Sequence, residues 1–441
     1  MSSKFDKRFL LLILPVLRTA WPRLQFMMRE AIPFMMIILF ILSFVLLGQK
    51  TKVSVRIRTK FWWMMLWYTM FAASNSIFAL FSYGQFLEYH QYATIFSTLS
   101  FFCVIYIALI NEKYIELRFL MVVALCGVII AGFSAATSGD VTSRQLLLNS
   151  LSRDDFNSVQ GAYDAVSVGL GGYGFIYANA ACSGIVLLMA CSRSIKKWFR
   201  IIAWMAFVSM LIIVKKGGLG TAVAVLGLSV VLAIMVLSGR TIRALKIVGI
   251  LFCIGFMIYA AAPKLLSPLS APLAMVAESM APGAIQDRIL SASQNMKGDA
   301  SSYAYQRAQL FMQSLAVFLG HPIVGVGAYQ QGHKSGDMLG GHSAIMDMVA
   351  QEGLIGVFLI VMFFGSTFKF FDAVSKARMH HNWMALPTIY LVCIFFAMFS
   401  NQLAKSVSGL FMILVFGYLA MLMQPIRQDG RILRKYERWN I

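Results

Sequence analysis

Apolar runs separated by short polar connections recur along almost the whole chain. They lie near residues 31–48, 61–83, 93–110, 118–135, 171–191, 201–214, 218–238, 246–262, 354–371, 384–400 and 406–424. Most approach the ~20 residues that a helix needs to cross about 30 Å of hydrocarbon. Lipid offers backbone N–H and C=O groups no partner, so runs of this length predict helices rather than barrel strands. The expected fold class is all-α, a polytopic transmembrane helix bundle of about 11–12 spans. It forms a single transmembrane domain over residues 1–441.

The polar connections alternate in character, which sets an orientation. Lys50, Lys52, Arg56, Arg58 and Lys60 fill one connection, and Arg193, Lys196, Lys197 and Arg200 fill another. Arg240, Arg243 and Lys246 fill a third, and Arg427, Arg431, Arg434, Lys435 and Arg438 lie in the tail. Basic residues concentrate in cytoplasmic loops, so these connections are expected inside. The alternate connections, 136–170 and 263–353, are then external, and the second is read as a large, helical, catalytic loop. The N-terminal segment, with Lys4, Lys7, Arg8, Arg18, Arg23 and Arg29, breaks the alternation. It fits either an interfacial amphipathic helix or an additional span over 9–28 interrupted by Pro15 and Pro22. The second reading gives about twelve spans, with both termini inside.

Composition agrees with a membrane protein and narrows the chemistry. Of 441 residues, 59% are hydrophobic and 13% charged, against roughly a quarter charged in a soluble domain. The net charge of +20 would point to nucleic acid in a soluble protein. Here it matches basic loops facing anionic headgroups, so the expected partner is the lipid bilayer and not nucleic acid. The six cysteines fall in or beside apolar runs without CxxC or Cys/His spacing, so no metal site or disulfide framework is expected, and no cofactor. Ionisable residues are scarce within the runs, which argues against a proton or ion pathway.

Candidate chemistry gathers in the expected external parts. Lys215 and Lys216, followed by Gly217-Gly218, lie between two apolar runs. They read either as snorkelling lysines at a helix turn or as a fixed positive site for an anionic ligand. Within 263–353, Asp299-Ala300-Ser301-Ser302 supplies caps for a helix from about Tyr303 to Leu319 that carries Arg307. Gly320-His321-Pro322-Ile323-Val324-Gly325-Val326-Gly327 then forms a turn whose N–H groups could line an anion-binding concavity. Residues 340–356 read as a helix leading into the next span. His342 stands at its N-terminus, where the helix dipole keeps imidazole neutral and able to act as a general base. The alternative for His342 is a hydrogen-bonded histidine packed under a loop. Arg288 and Arg307 either contact an anionic ligand or pair with Asp287, Asp299 or a lipid headgroup.

Together these residues resemble a family. The string from Arg307 through Pro322-Ile323-Val324-Gly325-Val326-Gly327 and His342-Ser343 to Gly353-Leu354-Ile355-Gly356 is similar to the external loop of the O-antigen polymerase and ligase superfamily. The direct match covers roughly residues 303–356. The resemblance implies a metal-independent glycosyltransferase of the bacterial inner membrane, with its active site facing the periplasm. Its substrates would be oligosaccharides linked to undecaprenyl pyrophosphate, and a flippase and a chain-length regulator would be its partners. His342 would serve as base or acceptor-positioning group, and Arg307 would stabilise the leaving pyrophosphate. Lys215, Lys216 and Arg288 would add positive charge.

One departure bears on the choice within the family. Ligases commonly carry Ser-Arg-Gly where this chain has Lys215-Lys216-Gly217, and lysine lacks the planar fork of arginine. Leu170-Gly171-Gly172-Tyr173-Gly174, opening a span, looks more like the polymerases, which places Tyr173 among the substrate-binding candidates. A polymerase of repeat units is therefore the first reading and an O-antigen ligase the second. A transporter of lipid-linked sugars is the alternative from another class, although no inverted repeat is visible.

Overall fold

A computed structural model of the protein describes residues 5–27, 41–42, 55–83, 104–106, 108, 113–139, 142, 170–193, 195–240, 242–261, 263–280, 284–297, 303–326, 343–377, 385–400, 408–422, 427–428 and 431–432. Most of the apolar runs near 31–48 and 93–110 lie outside these residues. A 3-10 turn, Lys7–Leu12, leads into α1 (Ile13–Ala20) and α2 (Pro22–Met27). Then come α3 (Val55–Tyr83), α4 (Tyr114–Ala136), α5 (Tyr173–Cys191), α6 (Lys197–Gly217), α7 (Gly220–Leu237) and α8 (Ile242–Ala261). A second 3-10 segment, Pro263–Leu269, precedes α9 (Ser270–Glu278), α10 (Ala284–Lys297) and α11 (Tyr303–Gly320). The chain continues with α12 (Ala344–Ala377), α13 (Ala385–Ser400) and α14 (Ser408–Leu422). The fold is all-α and polytopic. Among the described residues five helices, α4 to α7 and Ile345–Phe370 within α12, are long and apolar enough to cross a membrane.

The bundle is organised around α5. Every residue from Gly174 to Ala190 is buried, and the helix is enclosed by α6, α7, α13 and α14. Its sequence accounts for this position. Gly174, Ala178, Ala180, Ala181, Ser183 and Gly184 leave room for neighbouring backbones, the usual means of helix association where lipid supplies no hydrophobic drive. At Gly184 an added Cβ would lie 2.7 Å from the Ser229 hydroxyl of α7 and nearer still to its carbonyl. That hydroxyl accepts from the Gly184 N–H at 2.9 Å and donates to the Ala181 carbonyl at 2.8 Å. The α4–α6 contact is similar, with a Cβ on Gly132 falling 2.7 Å from Ser209 Cα.

Contacts along the helices fix which ends lie together. Lys216 at the end of α6 donates to the Gly139 carbonyl just beyond α4. Gly217 meets Ile176 near the start of α5, and Tyr177 hydrogen-bonds Thr221 at the start of α7. The described ends of the two long connections, at 136–139 and 170–173 and at 261–263 and 343–354, accordingly emerge at one end of the bundle. At the opposite end, Arg200 reaches the Ala190 carbonyl, and Lys246 lies 5.7 Å from the centre of the Phe368 ring. Phe61, just after Arg56, Arg58 and Lys60, packs on Phe370 at that same end.

The N-terminal segment belongs to the basic end too. The Asp6 N–H donates to Glu116 at 2.8 Å, and Lys113 lies 3.3 Å from the Asp6 carboxylate. The segment then climbs parallel to α4 until Ala20 abuts Gly127, about 16 Å of rise for eleven residues. Pro15 is tolerated in the first turn of α1, whereas the helix breaks at Trp21, held extended (φ −135°, ψ 109°) by the following Pro22. At the other terminus, α14 runs antiparallel to α4, with Arg118 donating to the Ala420 carbonyl at 3.1 Å. Asp6 and Ala420 therefore lie at the same end. In the tail, Arg427–Gln428 pairs antiparallel with Arg431–Ile432.

Candidate functional site

Two helices carry described candidate residues of the long connection. Arg288 lies in α10 and Arg307 in α11, while His342 and Gly327 lie outside the described residues. α11 begins and ends within a residue of the expected 303–319. It packs against α12, α8 and α10. Ser314 of α11 is buried and donates to the buried carboxylate of Asp347 on α12 at 2.7 Å. Seven or eight residues further on, the N–H of Leu354 donates to the Pro322 carbonyl at 2.9 Å. α11 and the first turns of α12 therefore run in the same direction.

That register locates Arg307. It precedes Ser314 by seven residues, which is two turns on the same helix face and about 10.5 Å of rise. Asp347 follows Ser343 by four residues, or about 6 Å. Arg307 thus lies two helical turns before the Ser314–Asp347 contact, near the level where α12 begins. Ser343 opens that helix: it is fully buried, and its hydroxyl accepts from the Met346 N–H at 3.3 Å. The residue immediately before this cap is His342.

The glycine turn has a different role from the one its composition implied. Gly325 (φ +71°) donates to the His321 carbonyl at 3.0 Å, and Val326 donates to Ala350 at 3.1 Å. These two N–H groups are used within the protein, so they do not line an anion-binding concavity. The turn instead docks on a break in α12. Gly353 has φ +61° and ψ −164°, so the expected helix into the span is interrupted there. Leu354 and Ile355, freed from the helical ladder, donate to Pro322 and Ile323 at 2.9 and 3.2 Å. Gly325 and Gly353 face each other so closely that a Cβ on either would lie 2.6 Å from the other's nitrogen. Both glycines are required by backbone geometry and mutual approach.

The remaining candidates stand on the α5–α7 side of the same end. Tyr173 opens α5 after the cap residue Gly172 and is half-buried. Lys215 and Lys216 form the last turn of α6, which Gly218 closes in the left-handed conformation (φ +66°). Positive charge at a helix C-terminus complements the helix dipole, and Lys216 also satisfies the Gly139 carbonyl. Lys215 is exposed. α10, the helix of Arg288, touches both α7 and α11, and so joins the lysine side to the Arg307 side.

The sequence singled out neither Ser314 nor Asp347, and it named Ser343 only as the neighbour of His342. A signal was present for two of them. Asp347 is an acid in the first turn of an apolar helix, and Ser343 directly precedes it as an N-cap. Ser314 becomes visible only through its partner on another helix. Among the described residues, no three His, Cys, Asp or Glu side chains gather as a metal cluster. No protein-family model and no curated protein matches the chain.

Proposed function

We propose that the chain is a glycosyltransferase of a bacterial inner membrane that polymerises oligosaccharide repeat units carried on undecaprenyl pyrophosphate. The observation that carries this reading is the register of α11 on α12, which brings Arg307 near the level of the helix start that follows His342. A hydroxyl of the acceptor attacks the anomeric carbon of the donor, and the lipid pyrophosphate leaves with the bonding electrons. His342 takes the hydroxyl proton, as a neutral imidazole beside a helix N-terminus can. Arg307 offsets charge on the leaving pyrophosphate, a role suited to a guanidinium that stays ionised and binds phosphate through two N–H groups.

Orientation supports the same reading. The basic connections share one bundle end, which the positive-inside rule makes cytoplasmic. The candidate residues among those described share the other end, which then faces the periplasm, where a flipped lipid-linked donor is presented. The second reading is transfer of finished glycan to a lipid core by a ligase; the exposed Lys215 at that end keeps the positive charge of the ligases' turn but not its arginine fork. Replacing His342 by Ala in the producing cell separates the possibilities. A polymerase leaves single lipid-linked units, a ligase leaves long lipid-linked polymer, and a transporter leaves units on the cytoplasmic side. Unchanged chain lengths with the protein still in the membrane would remove His342 from the mechanism.

A further inference from the structure

Between Lys264 and Glu278 the chain carries no charge. Over this stretch the 3-10 segment and α9 turn Leu265, Pro268, Leu269, Pro272, Met275 and Val276 outward. These positions recur every three or four residues, which is one face of a helix. Leu265 is 73% exposed and Met275 is 62% exposed, so the face is open over about 18 Å of helix. The opposite face is covered: Ser270 and Ala277 are buried, and Ser293 of α10 donates to the Ser270 carbonyl at 2.9 Å. α10 is polar and exposes Gln294 and Lys297.

A continuous uncharged face of this kind needs an occupant, because in water it is an aggregation-prone patch. Its place in the fold identifies one. The 3-10 segment starts at Pro263, two residues after α8 ends at Ala261. α8 exposes Ile247, Ile250, Leu251 and Ile254, a face suited to lipid, and the new stripe follows that helix in the chain. A second surface supports the same depth. Leu319 and Ile323, at the end of α11 and in its turn, are exposed, and Ile323 is bonded to Ile355 at the head of the lipid-exposed part of α12. The apolar helix Leu265–Glu278 is too short to span.

We propose that the 3-10 segment and α9 form an interfacial anchor seated in the lipid leaflet at this end of the bundle. The Leu265–Val276 stripe enters the boundary between headgroups and acyl chains, a depth of about 5–10 Å, and α10 lies above it toward water. The proposal is independent of the transferase reading.

The test uses the full-length protein in lipid nanodiscs. With the six native cysteines replaced, an environment-sensitive fluorophore is attached at Met275→Cys or, as the polar control, at Gln294→Cys. The Met275 label should emit to the blue of the Gln294 label, be quenched several-fold more by acyl-chain nitroxide lipids, and be protected from aqueous iodide. Iodide quenching equal at the two sites would overturn the proposal. So would protection of the Met275 label from both quenchers, which would mean that protein rather than lipid covers the face. On the unmodified protein, a phospholipid with a photoactivatable acyl chain should label the peptide 265–278. Labelling confined to the spanning helices would count against the anchor.

Discussion

Replacing Gly353 by Ala should undock the glycine turn from α12. The native φ and ψ at Gly353 fall in a region open essentially to glycine, so Ala there is strained by about 1–3 kcal/mol. Its Cβ would also lie 2.6 Å from the Gly325 nitrogen and nearer still to the Ile323 carbonyl oxygen. The strain is relieved if residue 353 becomes helical, which Ala favours. Leu354 and Ile355 then regain partners within the helix, but the Val326 to Ala350 bond and the packing of the turn are lost. A net hydrogen bond contributes about 0.5–1.5 kcal/mol, so either route costs roughly 2–4 kcal/mol locally. Hydrogen exchange read by mass spectrometry on detergent-solubilised protein should show it. At 1.4 kcal/mol per decade, exchange at Val326 should accelerate by about 30-fold to nearly 1000-fold. Gly365→Ala is the matched control, because a Cβ there meets nothing within 4 Å and the helix is regular. It should leave exchange at Val326 unchanged. Native protection at Val326 in Gly353→Ala, or equal acceleration in both variants, would refute the reasoning.

Other perturbations read out different parts of the structure. Ser314→Ala leaves the buried Asp347 carboxylate without this donor and should cost about 1–3 kcal/mol, seen as a lower melting temperature, whereas Ser314→Thr should retain most of the stability. Gly184→Ala in α5 places a Cβ against the Ser229 carbonyl of α7 and should lower the melting temperature, whereas Gly227→Ala, in open space on α7, should not. The Asp6 carboxyl is held well below the usual carboxylate range, chiefly by its hydrogen bond from Arg8, with burial opposing and Lys113 helping. Its contribution is therefore present above the unfolded value near 4 and is lost as pH falls toward the depressed folded value. In melts at decreasing acid pH, Asp6→Asn should remove that part of the pH dependence.

The spanning helices were legible because each writes its own signal locally: α4 to α7 match apolar runs in the sequence to within a few residues at most boundaries. α11 was equally legible, with a capping cluster before Tyr303 and glycine at its end. What the sequence hid was imposed across distance. Nothing local in Ala344–Ala377 marks Gly353 as a break, since a glycine in a helical pattern is ordinarily tolerated. The break follows from a turn some thirty residues earlier that supplies carbonyls to Leu354 and Ile355. The same turn showed its glycines plainly but not the destination of its N–H groups. The central position of α5 could have been read from its small residues, which imply close neighbours on all sides.

The transferase account rests on Arg307 and His342 acting on one substrate. Its most direct test is glycosyl transfer by purified full-length protein in detergent, supplied with a lipid-linked oligosaccharide as both donor and acceptor. The wild type should lengthen the glycan one repeat unit at a time and release lipid pyrophosphate. Arg307→Ala and His342→Ala should lose this activity while melting like the wild type. Undiminished elongation by either variant would contradict the account.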